Sequence, residues 1–149
     1  MAILFTFLLY TFCGFQQTSE LAPPYDIDFI EQDSLSQQEA VLYVFTGSDW
    51  CRECKRLEKE VLENAVFSST MEKNGIQIQL IDFPQRKKLD VKIVERNESI
   101  AEKYNFEGVF PTLVISPQNT ESYQRIYYQN ENSEAFSQKI LNELRSLQE

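Results

Sequence analysis

Two thiols three positions apart, Cys51 and Cys54, are the residues of this chain whose types and spacing suit chemistry. A Cys-x-x-Cys pair can close a short disulfide and reopen it. One thiolate attacks a foreign disulfide, a mixed disulfide forms, and the second thiol resolves it. The same spacing is also half of a zinc site, which would need two further ligands. The chain has no His, and its one other Cys is Cys13, inside an apolar run. A third reading is a pair of inert core cysteines. The lack of His also removes Ser-His-Asp and Cys-His catalysis. We expect no metal site and no cofactor beyond a redox-active Cys51–Cys54 disulfide.

The segments on either side would have to position those thiols. Residues 41–46 are aromatic, β-branched or apolar and carry no charge, which predicts a buried strand. Residues 52–63 are strong helix formers with Cys54, Leu57 and Val61 at i, i+3 and i+7, which predicts a helix with those three inward. Cys51 then stands at a helix N-terminus, where unpaired N–H groups and the dipole favour a thiolate. Arg52 beside it should favour the thiolate further, while Glu53 opposes that. The two nearly cancel, and both are also ordinary solvated first-turn residues.

With 149 residues there is room for one domain, and a net charge of −9 argues against nucleic acid as a partner. Residues 2–15 form an apolar run too short for a spanning helix, which takes roughly twenty residues. Its length is that of a signal-peptide core, although no Lys or Arg precedes it. Cys13 closes the run ahead of a polar stretch, a layout that resembles a bacterial lipoprotein signal, with Phe12 where a small residue is wanted. The expected organisation is a signal peptide or lipoprotein signal over residues 1–15, a linker over 16–37 and the folded domain over 38–149. Within the linker, Tyr25, Ile27 and Phe29 alternate with acids as an edge strand would, and Ser34 or Ser36 could cap a brief helix.

Further along, residues 64–70 predict a second helical piece ending near Asn74 and Gly75, and 76–82 a strand. Residues 85–88 are the basic cluster of an acidic protein, read either as a solvated loop or as a patch that steers an acidic partner. Asp90 should cap a helix through about Asn105 with Val91, Val94, Ala101 and Tyr104 inward. Asn97 and Ser99 match a glycosylation acceptor sequence, but within that helix. A turn at Gly108 leads into a strand to Ser116, a hairpin over 117–120 and a returning strand over 122–128. A final helix over 133–147 carries Phe136, Ile140, Leu144 and Leu147 on one stripe. This order predicts an α/β fold with a central mixed sheet and helices on both faces.

Trp50, the Cys-x-x-Cys pair and Lys55 after a hydrophobic strand, with Phe110, Pro111 and Thr112 further on, resemble the thioredoxin superfamily. Residues 45–51, 57–61 and 82–84 look more closely like the exported thioredoxin-like proteins of bacteria, the group of the DsbD C-terminal domain. The resemblance covers roughly residues 38–148. It implies a thioredoxin fold and a thiol–disulfide oxidoreductase of the periplasm or cell envelope that reduces or isomerises protein disulfides. Cys51 would be the nucleophile and Cys54 the resolving thiol. Pro111 would be a cis-proline shaping a substrate groove with Phe110 and Trp50, the Phe110 backbone pairing with an extended substrate segment. The implied partners are disulfide-bearing proteins and a membrane electron donor; the lipoprotein-like layout separately offers membrane attachment through a lipid on Cys13, the alternative being simple cleavage near Gly14 with Cys13 lost. The alternative is a thioredoxin-fold module that binds a metal or a partner protein with little turnover.

Two positions depart from the family. Thioredoxins bury an acid on the strand before the motif, and here Val44 or Phe45 takes its place. The lysine paired with that acid is replaced by Ile78. Removing both leaves no buried charge unpaired, but the Cys54 proton then needs water, an acid such as Asp49, or another group.

Overall fold

The computed structural model describes residues 39–149. The signal, the lipidation at Cys13 and the linker elements expected over residues 1–37 lie outside the described residues. Strand β1 (Ala40–Thr46) is the centre of a sheet that also contains β2 (Ile76–Asp82), β3 (Thr112–Pro117) and β4 (Gln124–Tyr127), in the order β2-β1-β3-β4. β1 pairs parallel with β2 and antiparallel with β3, and β4 returns antiparallel on β3, so the sheet is mixed. Four α-helices join or follow the strands: α1 (Arg52–Leu57), α2 (Ala65–Lys73), α3 (Val91–Lys103) and α4 (Ser133–Ser146).

Strand side chains alternate between faces, and the two faces bury different cores. On one, Ala40, Leu42 and Val44 of β1 and Leu113 and Ile115 of β3 pack with Leu57, Val61, Phe67, Met71, Phe136 and Ile140, residues of the helical segments 52–73 and of α4. On the other, Phe45, Ile81, Val114 and Tyr104 are joined by Tyr43, Ile100, Ala101 and Phe106. Helices therefore cover both faces, as the element order predicts.

Local signals account for most boundaries. Asn64 caps α2 by accepting from the Val66 and Phe67 N–H groups, and Asp90 and Asn132 cap α3 and α4. Gly75 adopts a φ of 64°, which lets the chain turn from α2 into β2 at little steric cost. The helix expected over 52–63 is α1 followed by a π-helical turn, Glu58–Leu62. Cys54, Leu57 and Val61 are buried, as their spacing predicts.

One expectation for α3 fails. Val91 and Val94 are 69% and 37% exposed, because the N-terminal end of the helix is not covered by the sheet. The buried stripe starts instead at Asn97, which is 1% exposed, and continues through Ile100, Ala101 and Tyr104. The Asn97 amide donates to the Asp82 carbonyl at 2.8 Å, and its oxygen accepts from the Arg96 guanidinium. A polar residue is thus spent on fastening α3 to the end of β2.

Candidate active site

The loop that leaves β1 carries the site. Its first turn closes on the Gly47 carbonyl, which accepts from the Cys51 N–H at 2.8 Å and the Trp50 N–H at 3.2 Å. Cys51 is the N-cap of α1, in an extended conformation, with its sulfur accepting from the Cys54 N–H at 3.1 Å. The two cysteines form a disulfide across their three-residue separation. Cys51 is 6% exposed and Cys54 2%. The outer sulfur therefore lies at the helix terminus, and the inner one is covered. Opening the bond leaves a Cys51 thiolate facing helix N–H groups, the setting that stabilises it.

Trp50 is 37% exposed and stands over Gly47. Its indole N–H donates to the Phe83 carbonyl at 2.9 Å, and its ring meets Phe110 edge-on at 5.2 Å. Phe110 in turn packs against Phe106 and Phe83, and Phe106 stacks on Phe45. The exposed aromatic is thereby tied through a series of rings to the buried sheet. The Phe110–Pro111 peptide bond is cis, and Pro111 is buried immediately before β3. The pairing of Phe45 with Thr112 sets Pro111 at the sheet end from which the Cys51 loop departs.

Arg52 and Glu53 are both exposed. Glu53 pairs with Arg56 at 3.4 Å, while Arg52 forms no ion pair among the described residues. Glu53 thus has a cation of its own in Arg56, and Arg52 follows Cys51 in the chain without a carboxylate partner among the described residues.

Two carboxylates tie this loop to the end of β2 and the segment after it, and sequence reasoning assigned neither of them that work. Asp82 accepts from the Ser48 N–H at 2.8 Å and the Ser48 hydroxyl at 2.6 Å. Asp49 accepts from three successive backbone N–H groups, those of Gln85, Arg86 and Lys87, at 2.7–2.9 Å. Partial desolvation works to raise the Asp49 pKa, but the three N–H groups and the Arg86 charge outweigh it and bring it down to about 2. Asp49 is therefore a poor candidate for carrying the Cys54 proton. A cavity of about 60 Å³ borders Cys54, Val44, Ser48, Glu58 and Asp82. Of the two residues aligned with the family's acid, Val44 is the one beside Cys54, since Phe45 packs on the opposite face of the sheet.

No family model matches the chain. It is 23% identical over 116 residues to the disulfide bond reductase DsbH of Chlamydia pneumoniae, covering 76% of this chain and 68% of that protein. A solved structure of a DsbH oxidoreductase superposes with a TM-score of 0.66 at 22% identity, covering 76% of this chain and 78% of the other. The C-terminal domain of DsbD from Neisseria meningitidis, in its reduced form, gives a TM-score of 0.50 at 14% identity, over 74% of this chain and 85% of that one. The fold is the thioredoxin fold, and the chain carries a Cys-x-x-Cys disulfide within it.

Proposed function

We propose that this chain is a thiol–disulfide oxidoreductase that reduces protein disulfides through Cys51 and Cys54. The observation that carries the reading is the Cys51–Cys54 disulfide, with Cys51 as the N-cap of α1 and Cys54 buried behind it. The name of the Chlamydia pneumoniae relative, disulfide bond reductase, supports the reducing direction.

In the reduced protein, the Cys51 thiolate attacks one sulfur of a partner disulfide. A Cys51–partner bond forms and the second partner sulfur leaves as a thiolate. Cys54 then loses its proton and attacks the Cys51 sulfur, which restores the Cys51–Cys54 bond and expels the partner as a dithiol. The partner gains two electrons and the protein loses two, so a dithiol donor must reopen the disulfide for the next turn. Burial raises the pKa of a thiol, so the second step needs a proton acceptor near Cys54. Asp82 and Glu58 border the same cavity as Cys54, and the space is large enough for water to bridge them. Trp50, Phe110 and Pro111 form the docking surface, where the Phe110 backbone pairs with an extended partner segment.

The chain acts in the cell envelope after export, with residues 1–15 as the signal, residues 16–37 as a tether and a membrane reductase as donor. The apolar run over residues 2–15 supports export, and Cys13 is the site of lipid attachment if that run is a lipoprotein signal. The test is reduction of insulin disulfides by the dithiothreitol-recycled protein. Turnover above the dithiothreitol background, abolished in Cys51→Ser, is expected. Turnover that survives Cys51→Ser contradicts the mechanism.

A further inference from the structure

The basic cluster singled out in the sequence lies beside Trp50 in the structure, and its placement bears on which disulfides the site takes. The Asp49 carboxylate holds the backbone of Gln85, Arg86 and Lys87, and the Trp50 indole holds the Phe83 carbonyl, so the loop is fastened to the residues just before Cys51. Arg86, Lys87 and Lys88 are exposed, and none of the three forms an ion pair among the described residues. The acids around them are occupied differently. Asp49 accepts from three backbone N–H groups, Asp82 from Ser48, Asp90 from the Lys92 N–H, and Glu53 pairs with Arg56. Glu58 beside Cys54 is the exception. With Arg52, four exposed cations that form no ion pair among the described residues stand near the active-site end of a protein whose net charge is −9, with Arg86 also attracted by the Asp49 carboxylate. Next to them opens a cavity of about 160 Å³ lined by Phe83, Pro84, Lys87, Leu89 and Val94, together with Asp82 and Asn97.

Resting on the oxidoreductase reading above, we propose that the preferred partner is a protein segment with carboxylates next to its disulfide cysteine. The acidic side chains meet Arg86, Lys87 and Lys88, and an apolar neighbour enters the cavity between Phe83 and Val94. Arg86, Lys87 and Lys88 are exposed and consecutive with no acid among them, so they attract acidic segments that the rest of a surface of net charge −9 repels. The preference is therefore one of rate and falls as salt screens it.

The test uses the full chain and three peptide disulfides that differ only in having Glu, Gln or Lys flanks, with uncharged hydroxyethyl disulfide alongside. At about 10 mM ionic strength the Glu peptide should be reduced roughly tenfold faster than the Lys peptide, with Gln between them. The ratio should shrink towards one at about 500 mM salt. In the combined Arg86→Gln, Lys87→Gln, Lys88→Gln variant the order should collapse or invert, since these changes take the net charge from −9 to −12 by removing three cations. Equal rates for the three peptides, or a Glu preference that persists in the variant, overturns the proposal while leaving the oxidoreductase reading intact. Failure to reduce any of the four disulfides overturns both.

Discussion

Replacing Gly47 with Ala tests whether the indole above the site is held in place as described. An added methyl carbon would lie 2.5 Å from Trp50 Nε1 and Cε2 and 2.7 Å from Cζ2. Non-bonded carbons prefer about 3.5–4.0 Å, so the ring must retreat by roughly 1 Å. That shift carries the 2.9 Å bond to the Phe83 carbonyl beyond hydrogen-bonding range and opens the edge-on contact with Phe110. A hydrogen bond contributes about 0.5–1.5 kcal/mol net, and an aromatic pair about the same. Because Trp50 is 37% exposed, the lower half of the sum applies, about 1–2 kcal/mol. For a domain near 100 residues this lowers Tm by roughly 4–15 °C. The assay is thermal unfolding together with fluorescence of Trp50, the one tryptophan of the chain. Gly47→Ala should red-shift the emission, lower Tm by that amount and raise KM for protein disulfides more than for hydroxyethyl disulfide. An unchanged spectrum with Tm within about 1 °C of the wild type would refute the reasoning, because the predicted clash alone should cost more.

Three other perturbations separate the parts of the site. Arg52→Gln removes the unpaired cation beside Cys51 and should make the couple more reducing; an exposed charge contributes about 0.2–1 kcal/mol, or about 5–20 mV, read by equilibration in glutathione buffers. Asp82→Asn should slow release of the partner from the mixed disulfide at least about tenfold without slowing its formation, as stopped-flow single turnovers would show. Asp49→Ala should free the segment after Phe83 and speed tryptic cleavage at Arg86, Lys87 and Lys88. Acid should free the same segment, read as faster amide hydrogen exchange at Gln85, Arg86 and Lys87 relative to the core strands. The Asp49 pKa is lowered from an ordinary 3.8 to about 2, so the tether is at full strength above pH 3.8 and is lost as pH falls through about 2.

How much of this could be read from residues follows from the range over which each signal acts. β1, α4 and the placement of Cys51 at a strand-to-helix junction depend on periodicity and near neighbours, and they were legible. Sequence spacing also put Cys54, Leu57 and Val61 in the core, although it gave no sign of the π-helical turn at Glu58–Leu62. The α3 stripe misled because periodicity identifies a helix face but not the end that overhangs the sheet. Val91 and Val94 share the apolar pattern and remain outside, while Asn97 goes in because the Asp82 carbonyl accepts its amide. The carboxylates of Asp49 and Asp82 were illegible for another reason. Their partners lie 34 to 38 positions away, and they pair with backbone N–H groups, which every residue but proline possesses, or with an ordinary serine. That Val44 or Phe45 stands where thioredoxins bury an acid was visible, but choosing Val44, and finding Asp82 at the same cavity, required the fold.

The most direct test of the account is to trap the exchange intermediate and locate it. Reduced Cys54→Ser protein is mixed with a peptide disulfide, quenched with acid and mapped by mass spectrometry. The account predicts a stable adduct of one peptide sulfur on Cys51, formed at about the wild-type rate, and no such adduct in Cys51→Ser. An adduct formed preferentially on Cys54 in Cys51→Ser, or no adduct on Cys51, would contradict the assignment of Cys51 as the attacking thiol.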